Sequence, residues 1–370
     1  MSRSIFRTAL CDMFGIEYPI FLAGMGGLIS PSGPDLAAAV SAAGGLGVIG
    51  GAFVPPETLA KQIDQVREMT DKPFGVDTLI PFSVTQGRLE SPVELDPTLP
   101  EAHEQFMYDF AEKYNLGDLP EMDIPVFDPA FIREQLEVIL EKEVPVYVAG
   151  LGDPGFLVDR AHHVGMKVGV VVGATRHAEK ALISGVDFVV AQGNDGGGHN
   201  SRVGTMALIP QVVDTVAGRV PVLGAGSIMD GRQIVAALAM GAQGVWCGSA
   251  FLATDEADIT QGQKEAIVHR KETGTTLSAA FTGKRARLLP NVWSDAFRES
   301  GLDILPMHQQ LAMTDRIMRA ANRDNRIDVN PGAAGQGIGM VNSIRPAADV
   351  FADMVAQAEE ILEKGVLAML

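Results

Sequence analysis

The chain has 370 residues, of which 46% are hydrophobic and 20% charged, the composition of a globular protein. Its formal net charge of −17 argues against nucleic acid or an anionic membrane as a partner, and no uncharged apolar run reaches ~18 residues. The two cysteines, Cys11 and Cys247, lie far apart without the spacing of metal ligands. We therefore expect no metal site, no disulfide scaffold and a cytoplasmic location.

Short apolar segments of strand length recur along the chain, at 19–23, 46–50, 73–79, 145–150, 167–172, 187–192, 220–225 and 244–248. Four of them follow a helical stretch that ends on a glycine, namely Gly44, Gly165, Gly185 or Gly241. Glycine adopts the left-handed conformation just past a helix end, and a buried parallel strand can begin soon after it. Eight such strands in about 230 residues predict an α/β fold, the (β/α)8 TIM barrel. A doubly wound open sheet is the alternative.

Two segments exceed the minimal barrel. Residues 81–143, between strands three and four, contain 15 acidic and 4 basic residues and are expected to form a lid, an interface or an extra subdomain. A second segment follows strand eight. We expect residues 1–254 and 330–370 to form the barrel, with 81–143 as an acidic insertion, and residues 255–329 to form a small, mainly helical cap domain. The final amphipathic helix, Pro346–Glu363, is predicted to return to the barrel.

Two glycine-rich segments near the N-terminus carry weak signals. Small residues at Ala23–Gly27, after strand one, could accept a planar ring against the backbone. Gly45–Gly50 matches the G-x-G-x-x-G pattern of dinucleotide-binding proteins. That fingerprint follows a strand and opens a helix, whereas here a helix precedes it and a strand follows. We interpret Gly45–Gly50 as a helix end joined to a strand start.

The loop after strand six carries the strongest local signal. It reads Gln192-Gly193-Asn194-Asp195-Gly196-Gly197-Gly198-His199-Asn200. Consecutive glycines contribute no side chains to packing, so they let the backbone lie against a flat group or let the loop move. A histidine at the end of such a loop, on the catalytic face of a barrel, is placed to exchange a proton near neutral pH. His199 is the candidate catalytic residue, with a solvated loop histidine as the alternative.

Small residues also follow strands seven and eight, where barrels commonly bind a phosphate. Glycine lets backbone N–H groups approach an anion, and a serine can add a hydroxyl donor. The candidate phosphate-binding residues are Gly224, Ala225, Gly226, Ser227, Gly248 and Ser249.

Together these motifs resemble the nitronate monooxygenase family, once called 2-nitropropane dioxygenases, and the related flavin-dependent enoyl-ACP reductases. The matching stretches are 23–27, 71–76, 192–199, 221–254, 281–291 and 335–346. The resemblance implies an FMN-dependent oxidoreductase with His199 as the catalytic histidine. It also implies that Gly24, Met25, Gly26 and Gln192 lie by the flavin ring, and that Gly197 and Gly198 lie towards the phosphate of the FMN. Residues 224–227 and 248–249 would hold that phosphate, and Gln336 would return to the flavin site from the C-terminal segment.

One departure concerns Asp77, which stands close to the flavin where the family usually has asparagine. An ionised carboxylate there would oppose negative charge on the reduced ring, by about 4 kcal/mol at roughly 4 Å and an effective dielectric constant of about 20. The resemblance therefore implies that Asp77 is protonated or turned away, or that the flavin is harder to reduce.

Three functions are compatible with these residues. The first is oxidation of an alkyl nitronate with O2. The second is an NAD(P)H-dependent reduction of a quinone, an enoyl thioester or a CoA thioester, with Lys284, Arg285 and Arg287 receiving a CoA phosphate, unless they form a solvated strand face. The third is a phosphate-binding barrel without a flavin. In each case the partner is a small molecule, and the sequence leaves open whether the protein forms a homo-oligomer.

Overall fold

Eight parallel strands form the centre of the computed structural model, which describes residues 5–27, 29–80, 96–123 and 128–365. The strands are β1 (Ile20–Leu22), β2 (Gly47–Gly50), β3 (Phe74–Leu79), β4 (Val146–Leu151), β5 (Lys167–Val172), β6 (Phe188–Gln192), β7 (Val222–Ala225) and β8 (Gly244–Cys247). From β2 to β8 each strand pairs with the next, and β8 pairs with β1. The Leu22 N–H donates to the Leu46 carbonyl at 2.9 Å, and the Leu46 N–H donates to the Ile20 carbonyl at 3.0 Å. These bonds close the ring, so the predicted barrel is confirmed and the open sheet is excluded.

The junctions between helices and strands are built as the repeat predicts. Gly44, Gly165, Gly185 and Gly241 have φ angles of +101°, +78°, +78° and +93°, in the left-handed region that glycine tolerates best. The segment Gly47–Gly50 is strand β2, preceded by a helix that ends at Ala42. The interpretation of Gly45–Gly50 as a helix end and strand start is therefore confirmed.

Helices surround the barrel and form much of the cap segment, residues 255–329. They are α1 (Ala9–Phe14), α2 (Pro34–Ala42), α3 (Pro56–Met69), α4 (Glu101–Lys113), α5 (Pro129–Glu141), α6 (Gly155–His163), α7 (Thr175–Ile183), α8 (Thr205–Val216), α9 (Gly231–Ala239), α10 (Gln261–Val268), α11 (Val292–Ser300), α12 (Met307–Arg323) and α13 (Ala347–Lys364). The cap segment also contains strands β9 (Thr276–Ser278) and β10 (Ala286–Leu288). Within the described ranges, no helix combines the length and the apolar character that crossing a membrane requires.

The barrel interior is filled at its N-terminal end. Phe14 of α1 packs its ring edge-on against Phe21 and Phe188, each at 5.2 Å between ring centroids. All three side chains are buried, with Val48 and Val190 in the same cluster. Because this end is closed by aromatic packing, the space for a ligand lies at the opposite end, where the strands finish.

The segment 81–143 contributes to two different parts of the fold. Helix α5 packs against α3 in the outer layer of the barrel, whereas α4 packs against α11 and α12 of the cap segment. Residues 81–95 and 124–127 of this segment lie outside the described residues. Helix α13 packs against α9 and α2, so the final helix returns to the barrel. The domain limits at residues 254 and 330 stay a prediction.

Candidate active site

A cavity of about 290 Å³ lies at the C-terminal ends of the barrel strands, with the cap segment forming one wall. Thirteen of the fifteen residues predicted from the sequence line it: Gly24, Met25, Gly26, Asp77, Gln192, Gly197, Gly198, His199, Ala225, Gly226, Ser227, Gly248 and Ser249. The loops that follow β1, β6, β7 and β8 therefore converge on one space. A single ligand can contact all four loops.

Gly224 and Gln336 do not line the cavity. A Cβ atom on Gly224 would lie 2.8 Å from Ile209 Cδ1, so this residue of β7 faces the helical layer. The Gln336 side chain is exposed, and its backbone N–H donates to the Asp195 carbonyl at 2.8 Å. Gln336 thus ties the C-terminal segment to the loop after β6 through its backbone.

The loop after β1 lies flat against the neighbouring strand ends. A Cβ atom on Gly24 would come within 2.2 Å of Asp77 Cβ, and one on Gly26 within 2.6 Å of the Gly50 carbonyl oxygen. No side chain fits at either position, because backbone and Asp77 occupy that space. The opposite side of the loop forms a wall of the cavity. A flat backbone surface without projecting side chains suits an aromatic ring system.

The glycine-rich loop, residues 192–200, is held in place from both sides. Gln192 Nε2 donates to the His199 carbonyl at 2.9 Å. Segment Gly198–His199 pairs antiparallel with β10, so that Ala286 lies opposite His199. The buried Arg287 donates from Nε and from a terminal nitrogen to the Asn194 carbonyl, each at 3.0 Å. The loop is therefore a fixed wall rather than a free surface segment.

His199 points to the joint between the barrel and the cap segment. Its Nε2 lies 2.7 Å from the Thr282 hydroxyl, which in turn lies 3.2 Å from the Lys284 carbonyl. Because a carbonyl can only accept, the Thr282 proton goes to Lys284, and His199 Nε2–H donates to Thr282. This network leaves His199 Nδ1 as a proton acceptor.

The protonation state of His199 follows from its surroundings. Burial, and to a smaller extent the positive charge of Lys284, lowers the pKa of His199 from 6.5 to about 4. The imidazole is therefore neutral at pH 7. A neutral imidazole can donate a hydrogen bond from one nitrogen and accept a proton at the other.

Asp77 is a buried acid at the end of β3, with a side chain 7% exposed. Its carboxyl lies against the backbone of Gly24 and of Gly150, where added Cβ atoms would come within 2.2 Å of Asp77 Cβ and 2.5 Å of Oδ1. Burial raises the pKa of Asp77 well above its ordinary value of 3.8, and a hydrogen bond from the Gly150 backbone offsets this only in part. A carboxyl in this setting keeps its proton and presents one donor and one acceptor, as an asparagine amide does.

The two candidate phosphate serines differ in their hydrogen bonds. The Ser249 hydroxyl accepts from the Gly335 N–H at 2.8 Å, which leaves its own proton to donate. The Ser227 hydroxyl donates to the Asp195 carbonyl at 2.6 Å and accepts from the Gly337 N–H at 2.9 Å. Ser249 can therefore bind an anion through its hydroxyl, whereas the Ser227 hydroxyl joins loops.

The sequence analysis did not predict that the cap segment supplies a wall of the cavity. It includes Thr282, the partner of His199, and the apolar residues Ile267, Phe281, Leu288, Met307 and Leu311. One signal was present in the sequence. Basic and apolar residues alternate along 285–288, which places Ala286 and Leu288 on one face of a strand and Arg287 on the other.

Comparison with known proteins gives a consistent result. The family model described as nitronate monooxygenase matches residues 7–357. A Mycobacterium tuberculosis protein named as a monooxygenase is 34% identical, covering 95% of this chain and 96% of its own length. A Staphylococcus aureus protein named as a nitronate monooxygenase is 30% identical, covering 96% and 99%.

Solved structures of similar sequence have the same fold. A nitroalkane oxidase from Streptomyces ansochromogenes superposes with a TM-score of 0.78 at 30% identity, covering 95% of this chain and 98% of that one. FabK from Thermotoga maritima superposes with a TM-score of 0.74 at 29% identity, covering 98% and 99%. The resemblance inferred from the sequence motifs is confirmed.

Proposed function

The chain belongs to the nitronate monooxygenase family of flavin-dependent oxidoreductases, and we propose that it binds FMN and oxidises alkyl nitronates with O2. The observation that carries this proposal is the convergence of four strand-end loops on one cavity that His199 also lines. His199 is the proposed catalytic residue, and the other twelve predicted residues that line the cavity are the proposed binding residues. Gly224 and Gln336 would support the site from outside the cavity.

FMN fits the residues present. The backbone of Met25 and Gly26 would hold the flavin ring, because the loop after β1 has no side chains that block a planar group. Ser249, with its free hydroxyl proton, would hold the phosphate together with the backbone of 225–227 and Gly248. When bound, the flavin accepts electrons from the substrate and passes them to O2.

His199 would handle the proton and orient the substrate. A nitronate is already an anion and needs no base, so the imidazole, whose only N–H is bonded to Thr282, would contact and orient it without an acid–base step. For an un-ionised nitroalkane, His199 Nδ1 can take the α-proton, while Nε2–H keeps its bond to Thr282. A protonated Asp77 leaves no fixed negative charge beside the anionic substrate.

The second candidate is an NAD(P)H-dependent reductase, which the structural similarity to FabK and the apolar wall of the cavity favour. One observation counts against CoA as its substrate. Arg287, one of three basic residues that could receive the CoA phosphate, is buried and bonded to the Asn194 carbonyl.

We further propose a cytoplasmic location, because Cys11 and Cys247 are both free and buried.

The test is oxygen consumption with ethyl nitronate and with un-ionised nitroethane as substrates. His199→Asn should lower kcat/KM for nitroethane by ~10²-fold or more, because it removes the acceptor of the α-proton, while the purified variant keeps its flavin. His177→Asn, at an exposed histidine on α7, is the matched control and should match the wild type. Extraction of the flavin and mass spectrometry should give FMN. Undiminished activity of His199→Asn on nitroethane, or FAD in the extract, would contradict the corresponding part of the proposal.

A further inference from the structure

The cavity contains few groups that could bind a charged substrate. Among its described lining residues, only Asp77 and His199 are ionisable, and burial disfavours the charged form of each, because it raises the pKa of Asp77 well above 3.8 and lowers the pKa of His199 to about 4. The wall from the cap segment consists mostly of apolar side chains, of which Phe281, Leu288 and Leu311 are buried. A ligand part that touches this wall must therefore be apolar.

The apolar wall begins directly at His199. Ala286 lies opposite His199 in the antiparallel pair, and Leu288 lies two residues further along the same face of β10. Arg287, between them, points the other way and bonds to the Asn194 carbonyl. The strand thus turns its apolar side to the cavity and its charged side away from it.

One loop and two helices extend this wall. Phe281 precedes Thr282, whose hydroxyl contacts His199, and both Phe281 and Thr282 line the cavity. Met307 and Leu311 are four residues apart on α12 and therefore share one face of the helix. Ile267 of α10 also lines the cavity. Three elements of the cap segment beyond the Phe281–Thr282 loop thus present apolar side chains to the same space.

We propose that this wall binds the alkyl chain of the substrate, so that the enzyme prefers nitronates with a longer unbranched chain over shorter ones and over those that carry a carboxylate. The inference rests on the proposed function. The nitronate group is held at His199, and the chain extends from it along Ala286 and Leu288 towards Met307 and Leu311. Each methylene that leaves water for this wall favours binding.

The same wall discriminates against a carboxylate at the far end of the chain. A carboxylate there would lose its hydration and would meet no cation, since Arg287 is turned away and the exposed Lys284 is not among the lining residues. The loss should be large, because an unpaired buried charge is more costly than a missing methylene. Chain length and terminal charge therefore give two separate readouts.

The experiment compares kcat/KM for ethyl, propyl, butyl, pentyl and hexyl nitronates on the flavin-loaded enzyme. We expect a rise of ~4-fold per added methylene over at least part of the series, which corresponds to ~0.8 kcal/mol for each. Propionate-3-nitronate, which has as many heavy atoms as pentyl nitronate, should be at least ~100-fold poorer than it. Calorimetric titration with the un-ionised nitroalkanes should give the same order in Kd, independently of turnover.

A variant locates the effect on the wall. Met307→Lys places an ammonium group on α12 and should lower kcat/KM for hexyl nitronate at least ~10-fold, with a smaller effect on ethyl nitronate. Met206→Lys, at a methionine of α8 that is 72% exposed, is the matched control and should change neither substrate. If the wild type oxidises all nitronates equally well, or prefers propionate-3-nitronate, the inference is wrong while the proposed function stands. If it oxidises none of them, the proposed function fails first.

Discussion

Replacing the buried Asp77 carboxyl by an amide should stabilise the protein, and the gain should depend on pH. The carboxyl is 7% exposed, and burial raises its pKa well above 3.8. Asp77→Asn keeps the shape of the side chain and an oxygen that can accept from the Gly150 backbone, but it cannot ionise. The variant therefore removes the cost of keeping an acid in a site that disfavours its charged form.

The sign and size of the effect follow from proton linkage. Because the pKa of Asp77 is higher in the folded state, the stability that the neutral carboxyl contributes is fully present below the unfolded-state pKa. It is lost as the pH rises through the folded-state pKa. Each pH unit in that interval costs the wild type about 1.4 kcal/mol of unfolding free energy. The advantage of Asp77→Asn should grow at this rate above about pH 4 and become constant above the folded-state pKa.

Urea unfolding of wild type and Asp77→Asn at saturating flavin, from pH 5 to pH 9, measures this difference. Asp159→Asn, at an exposed position on α6, is the matched control and should show no pH-dependent difference from the wild type. If the difference between Asp77→Asn and wild type stayed constant from pH 5 to pH 9, Asp77 would have an ordinary pKa. The argument that it is held protonated by burial would then be refuted.

Two further predictions concern His199 and Gly24. Because the pKa of His199 is lowered to about 4, kcat/KM for an un-ionised nitroalkane should stay level from pH 8 to about pH 5 instead of falling near 6.5. Lys284→Met should shift this acid limb to higher pH, and a wild-type limb near 6.5 would contradict the prediction. Gly24→Ala should lower the melting temperature and the flavin content, because its Cβ would lie 2.2 Å from Asp77 Cβ. Gly262→Ala, with no neighbour closer than 3.9 Å, is the control and should change neither quantity. Full flavin content in Gly24→Ala would count against the close packing.

The barrel could be predicted from the sequence because its signals are local. Each apolar strand is short and continuous, and glycines such as Gly165 and Gly185 mark the helix ends by the backbone conformation they adopt. The loops that form the cavity were also predictable. In a parallel barrel, every loop that follows a strand lies at the same end, so placing the strands places the loops.

The details of the candidate site could not be predicted, because they depend on the direction in which each side chain points, and no local sequence pattern determines that direction. Gly224 belongs to the predicted phosphate run, yet its position on β7 faces the helical layer. Gln336 reaches the site region through its backbone, and its side chain stays exposed. The contact between His199 and Thr282 joins residues 83 positions apart, so it appears only once β10 pairs with the glycine-rich loop.

The protonation and orientation of Asp77 are a further example of what the sequence leaves open. The residue type and its place after β3 can be read from the sequence, and they leave open an ionised, a protonated or an outward-turned carboxyl. The packing between Gly24 and Gly150 selects the buried, protonated form. A pKa is set by the whole surrounding shell of atoms, which comes here from three separate strand ends.

The most direct test of the central claim is anaerobic mixing of the purified flavoprotein with butyl nitronate, NADH and NADPH in separate cuvettes. The proposed nitronate oxidation predicts that the flavin absorbance is bleached by butyl nitronate, is not bleached by either nicotinamide, and returns when O2 is admitted. Bleaching by a nicotinamide with the nitronate inert would contradict it and would assign the cavity to a reductase.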